Sequence, residues 1–126
     1  MEGPQILIID DEVDMCWALE NIITLRGYRV CSATSGKEGV ALMKQLYQNV
    51  RLIFLDVKLP DMDGIELANL IKECCSKVKI AIISGYYYRD SEAIWQGFAR
   101  GLFDSFVGKP FSISEIRSAI EFSFLS

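Results

Sequence analysis

Apolar residues in this chain come in short unbroken runs, at 6–9, 52–55 and 80–83, and not in the every-second-residue pattern of a sheet with one wet face. Continuous, largely β-branched runs of this length fit strands buried on both sides, as in a parallel sheet. A fourth run at 28–33 and a weaker fifth at 105–107 complete the set. The segments between them carry helical spacing instead. Met15, Leu19, Ile22 and Ile23 fall at i, i+4, i+7 and i+8, one apolar stripe, with Gly27 placed to end the helix. Ser35-Gly-Lys-Glu38 has the form of a capping box and predicts a second helix running to about Tyr47. Asp63-Gly64 precedes a third, Asp90 or Ser91 a fourth ending near Gly101, and Ser112 a fifth that contains Ile113, Ile116 and Ile120.

Strands alternating with helices in this way give about five β-α units, hence an α/β fold with right-handed crossovers and helices on both faces of the sheet. With 126 residues, 51% of them hydrophobic, the chain can bury one such core, and a single domain over 1–126 is expected. A formal charge of −4 argues against a surface that holds nucleic acid or anionic lipid by bulk electrostatics. No stretch approaches the roughly 18 apolar residues of a membrane span, and the expected location is cytoplasmic. The sequence contains no histidine, which excludes a phosphohistidine carrier and imidazole acid–base chemistry. Cys16, Cys31, Cys74 and Cys75 lack C-x-x-C spacing, so a zinc site is not expected; Cys16 and Cys31 read as small hydrophobes, and Cys74 and Cys75 as the end of a helix.

In a parallel sheet of this type ligands bind beyond the carboxyl ends of the strands. The first run leads into Asp10-Asp11-Glu12, the third into Asp56, the fourth into Ser84 and the fifth into Lys109-Pro110, so all of these groups are expected at one edge. Carboxylates brought together repel and raise one another's pKa unless a cation sits among them. Mg2+ suits such a set, because it takes one or two carboxylates and keeps water or phosphate oxygens as its other ligands. A metal-assisted phosphoryl site is the expectation.

Asp10-Asp11, Phe54-Leu-Asp56-Val-Lys-Leu-Pro60-Asp-Met-Asp-Gly64, Ser84-Gly85 and Gly101-Leu-Phe-Asp-Ser-Phe-Val-Gly-Lys109-Pro110-Phe111 together resemble the receiver domains of two-component response regulators. The resemblance runs from Gln5 to about Phe124. It implies a doubly wound, flavodoxin-like five-stranded parallel sheet in the order 2-1-3-4-5, the order of the family's chemotaxis regulator. It also implies that Asp56 is the phosphoacceptor, forming an aspartyl phosphate from the phosphohistidine of a histidine kinase or histidine phosphotransfer protein. Asp10, Asp11, Asp56 and the backbone carbonyl of Lys58 would hold Mg2+, with Lys109 and Ser84 on the phosphoryl oxygens. Ser84 and Phe106 match the family's switch pair, and Pro110 its proline after a cis bond. Lys58 and Tyr86 stand at the two positions that look across the mouth of the site and modulate dephosphorylation. The implied module is a signalling phosphoacceptor, catalysing its own phosphorylation and a slow autodephosphorylation and no other reaction. It would signal through its fourth helix, fifth strand and fifth helix, to an effector domain or to a second copy.

Three rival functions fit less well. A flavodoxin-like electron carrier needs hydroxyl and glycine donors after the first strand, where Asp10-Asp11-Glu12 would repel a flavin phosphate. An aspartate-nucleophile phosphatase carries a second acid two residues after the nucleophile, where this chain has Lys58. A scaffold with a degenerate site would not retain the full acidic and basic set. Thr34-Ser-Gly-Lys37 lacks the glycine and hydroxyl of a nucleotide loop, and Leu59 stands where a calcium loop would start. The length leaves no room for a DNA-binding domain, so a stand-alone regulator or part of a longer protein is expected, and the apolar residues at 120–125 favour continuation or a dimer contact.

Overall fold

The computed structural model describes residues 4–85 and 91–125. Within them five strands alternate with five helices: β1 (Gln5–Ile9), α1 (Val13–Leu25), β2 (Arg29–Ala33), α2 (Gly36–Leu46), β3 (Val50–Asp56), α3 (Gly64–Cys74), β4 (Lys79–Gly85), α4 (Glu92–Ala99), β5 (Ser105–Lys109) and α5 (Ile113–Leu125). Every strand pairing is parallel and the order is β2-β1-β3-β4-β5. The chain therefore winds outward from β1 in both directions, and the reversal of strand order falls between β1 and β3.

Successive side chains of a strand point to opposite faces, so a sheet covered on both sides needs apolar residues at every position. Leu7, Ile9, Ile53, Leu55, Ile80 and Ile82 pack on one face against Met43 of α2, Leu67 and Ile71 of α3 and Ile94 of α4. Ile6, Ile8, Leu52, Phe54, Ala81 and Ile83 pack on the other against Leu19 and Ile23 of α1 and Ile116 and Ile120 of α5. β1 is buried throughout, whereas the edge strands β2 and β5 keep several partly exposed residues, which is why their sequence runs are weaker.

The helix ends follow local chemistry. Gly27 adopts a φ of 88°, the left-handed conformation that closes α1. Ser35 caps α2 by accepting from the Glu38 amide at 3.1 Å, but the Glu38 carboxylate accepts from Thr34 N at 2.7 Å, one residue upstream of the box partner. The reciprocal box forms instead at α5, where Ser112 Oγ accepts from Glu115 N and Glu115 from Ser112 N. Ser91 precedes α4 without a side-chain cap, and Asp90 lies outside the described residues. Ile116 and Ile120 are buried, but Ile113 is 60% exposed, because α5 meets the sheet from its second turn onward. Cys74 ends α3 and Cys75 is its cap; Cys16 is buried and Cys31 partly so.

Gly64 opens α3 where a Cβ would lie 2.7 Å from both the Asp56 carbonyl oxygen and Val57 Cα. That contact is with backbone, which has no rotamer to yield. Gly64→Ala is expected to lower unfolding free energy by about 2 kcal/mol and to shift the urea midpoint downward. An unchanged midpoint would mean that α3 moves freely away from β3.

Candidate functional site

The strand register brings the predicted residues to one edge. Asp10 follows β1, Asp56 ends β3, Ser84 stands next to last in β4 and Lys109 ends β5. Ile9 pairs with Leu55, Asp56 with Ile83, and Ser84 with Gly108, so these ends are level across the sheet. Asp10, Asp56 and Ser84 are buried and Asp11 is exposed. One carboxylate oxygen from each of Asp10, Asp11 and Asp56 lies within 4.8 Å of the others.

Lys109 Nζ reaches into this group, 3.1 Å from Asp10 Oδ2, 3.4 Å from Asp56 Oδ2 and 2.8 Å from Glu12 Oε1. The backbone orients the carboxylates: Glu12 N donates to Asp10 Oδ1 at 2.9 Å and Lys58 N to Asp56 Oδ1 at 3.2 Å. Asp10 Oδ2 is fully buried and, despite its lysine neighbour, receives no well-directed hydrogen bond. A buried carboxylate oxygen facing two other carboxylates in this way is the arrangement a divalent cation satisfies, so the donor set fits Mg2+.

Burial pushes the Asp56 carboxyl up to about 6, and the charge of Asp10 adds to the rise, with Lys109 opposing both. Lys109 is affected in the other sense. Burial disfavours its ammonium, but the bond to Glu12 and the charges of Asp10 and Asp56 outweigh that cost and hold its pKa above the ordinary lysine value. At neutral pH the Asp56 carboxyl is ionised and the lysine charged.

Asp11, Glu12, Asp56, Lys58, Gly85 and Lys109 border a shallow depression of about 420 Å³ that opens the site to solvent. The Lys58 side chain is exposed at this mouth. Ser84 is buried, with its hydroxyl on the Gly85 carbonyl at 3.3 Å. Phe106 is partly buried and borders a separate cavity of about 310 Å³ with Ile94, Trp95 and Phe98. The Lys109–Pro110 bond is cis. Tyr86, Tyr87 and Tyr88 lie outside the described residues. Sequence reasoning missed Glu12 as the nearest partner of Lys109; the acidic 10–12 run puts it at this edge but does not rank it above Asp10.

Comparison with known proteins agrees with this geometry. The family model described as response regulator receiver domain matches residues 6–121. The sporulation initiation phosphotransferase F of Bacillus subtilis is 29% identical, over 96% of this chain and 94% of that protein. The chemotaxis protein CheY of Thermotoga maritima is 33% identical, over 94% and 95%. The transcriptional regulator NtrC of Proteus hauseri is 31% identical over 96% of this chain, which spans 24% of that longer protein. Among solved structures, the CheX–CheY complex with beryllofluoride and magnesium from Borrelia burgdorferi superposes with a TM-score of 0.88 at 25% identity, covering 99% of this chain and 92% of that one. Receiver domains of this kind take phosphoryl groups from histidine kinases, and homologues carry effector domains. With its sheet order, its carboxylate–lysine edge and a match over nearly its whole length, the chain belongs to the response regulator receiver domains, the phosphoacceptor modules of two-component signalling.

Proposed function

We propose that Asp56 is the phosphoacceptor and that Asp10, Asp11, Asp56 and the Lys58 carbonyl form the magnesium site. The observation that carries this is the meeting of three carboxylates with the Lys109 ammonium at the end of the central strand β3. A carboxylate oxygen of Asp56 attacks the phosphorus of a donor phosphohistidine; the new P–O bond forms as the P–N bond breaks, and its electron pair leaves with the imidazole. Bound Mg2+ supplies charge neutralisation for the phosphoryl oxygens and for the carboxylates that surround them. Lys109 neutralises one phosphoryl oxygen, exchanging part of its contact with Glu12 and Asp56 for the new anion. Ser84 turns its hydroxyl from the Gly85 carbonyl to another, and Phe106 moves into the space vacated beside it. The output face is then α4, β5 and α5, where Trp95, Ile113 and Phe122 stand exposed for an effector or a second copy. Phosphotransfer from acetyl phosphate should require Mg2+. Equal incorporation in EDTA would remove the metal from the mechanism.

The unit is read as one domain over 1–126 that acts in the cytoplasm, its phosphate coming from a histidine kinase or phosphotransfer protein. Among the described residues no helix is long and apolar enough to cross a membrane. Apart from its own phosphorylation, the reaction assigned to it is a slow autodephosphorylation. Lys58 at the mouth obstructs in-line approach of water and offers no carboxamide or carboxylate to orient it; Tyr86, two residues after Ser84 in the sequence and outside the described residues, is assigned the same role from its sequence position alone. Positioning of the attacking water can carry several kcal/mol of a barrier, and recovering about 1.36 kcal/mol of it is about tenfold in rate. The double variant Lys58→Asn with Tyr86→Ala is expected to lose its phosphoryl group about tenfold faster at saturating Mg2+. Equal or slower decay would show that these side chains do not guard the site.

A further inference from the structure

Asp61 lies in the segment between β3 and α3, yet its carboxylate is spent on a different helix. Its Oδ1 accepts from Gly36 N at 2.8 Å and its Oδ2 from Lys37 N at 2.9 Å. These are the first two amides of α2, which have no acceptor within their own helix. Ser35 serves the third amide of α2, that of Glu38, so Asp61 completes a cap that the local sequence begins. The approach is close, since a Cβ on Gly36 would lie 2.5 Å from Met62 Cγ.

The same segment is tied at its other end. Asp63 Oδ1 accepts from Ile65 N at 3.1 Å, capping α3, and Gly64 N donates to the Val57 carbonyl at 2.7 Å. Lys58 and Asp63 pair as an antiparallel bridge. The 58–63 loop is thus closed on itself and stapled to two helix N-termini by two of its own carboxylates. Lys58 begins this loop, and its amide holds Asp56 Oδ1.

We propose that Asp61 is a positioning residue for the cation half of the site: by fastening the 58–63 loop to α2, it fixes the direction of the Lys58 carbonyl and of the Asp56 carboxylate. This rests on the reading that those two groups hold Mg2+. Asp61 is no further ligand, because both its oxygens are committed to α2. The bonds from the Gly36 and Lys37 amides also hold its carboxyl below the usual range, so it stays ionised and bound throughout the neutral region.

The test is Mg2+ binding by calorimetry to the full chain and to Asp61→Ala, Asp61→Asn, Ser35→Ala and Asp11→Asn, with folding verified by circular dichroism. Outer partners of metal ligands typically carry ten- to a hundredfold in affinity, so Asp61→Ala is expected to bind about tenfold more weakly. Asp61→Asn keeps one acceptor oxygen but turns its NH2 donor towards the other helix amide, so it keeps one of the two bonds and is expected to bind between the parent and Asp61→Ala. Ser35→Ala uncaps the same helix without touching the loop and is expected within about twofold. Parent-like affinity in Asp61→Ala would overturn the proposal. So would an equal loss in Ser35→Ala, which assigns it to α2 alone. Binding that is absent in the parent or survives Asp11→Asn would overturn the underlying cation-site reading and the proposal with it.

Discussion

Asp56→Asn is expected to take up no phosphoryl group from acetyl phosphate or from a phosphohistidine donor, under conditions in which the parent chain is labelled. An amide oxygen carries no negative charge with which to form an acyl phosphate. The substitution also has an energetic consequence of opposite sign. Burial and Asp10 raise the Asp56 pKa from 3.8 to about 6, so the metal-free folded state binds this proton more tightly than the unfolded chain does. Its contribution therefore makes stability fall as pH rises from about 4 to about 6, with the full penalty above that range. That rise in pKa corresponds to roughly 3 kcal/mol, with the opposing pull of Lys109 already included. Metal-free Asp56→Asn should thus unfold at higher temperature than the parent at neutral pH, while accepting no phosphate. Residual labelling, or a lower melting point, would place the nucleophile or the charge strain elsewhere.

Lys109→Met is expected to do the reverse. Nζ is the cation that Asp10, Glu12 and Asp56 share, and Asp10 is completely buried. Methionine keeps most of the stem and removes the charge, leaving buried carboxylates face to face. Removing one partner from such a buried set costs about 3 kcal/mol, and the metal-free melting point should fall by roughly 10 °C. Because Mg2+ supplies positive charge to the same carboxylates, saturating Mg2+ should raise the variant's melting point more than the parent's. Thermal denaturation with and without the ion measures this difference. An equal Mg2+ effect in both would show that lysine and metal do not share their partners.

Much of this was legible in the sequence because the physics acting there is local or periodic. A sheet buried on both faces demands unbroken apolar runs, and β1, β3 and β4 have them; Gly27, Ser35 and Ser112 mark helix ends by backbone rules. The site followed from the ends of those runs, since a parallel sheet places them together. Strand order did not follow from the runs, which are alike in composition, and came from the family resemblance. Long-range side-chain choices were also hidden. Nothing in the 10–12 run says that Glu12 lies closer to Lys109 than Asp10 does, and nothing in the 58–63 loop says that Asp61 caps a helix begun 25 residues earlier. Both depend on where two distant loops meet above the sheet.

The most direct test of the central claim is to locate the phosphoryl bond. After reaction with acetyl phosphate and Mg2+, borohydride reduces an aspartyl phosphate to homoserine, and mass spectrometry of the peptides reads the position. The account predicts homoserine at position 56, absent when EDTA is present. Homoserine at position 10 or 11, or a stable phosphate ester on Ser84, would contradict it.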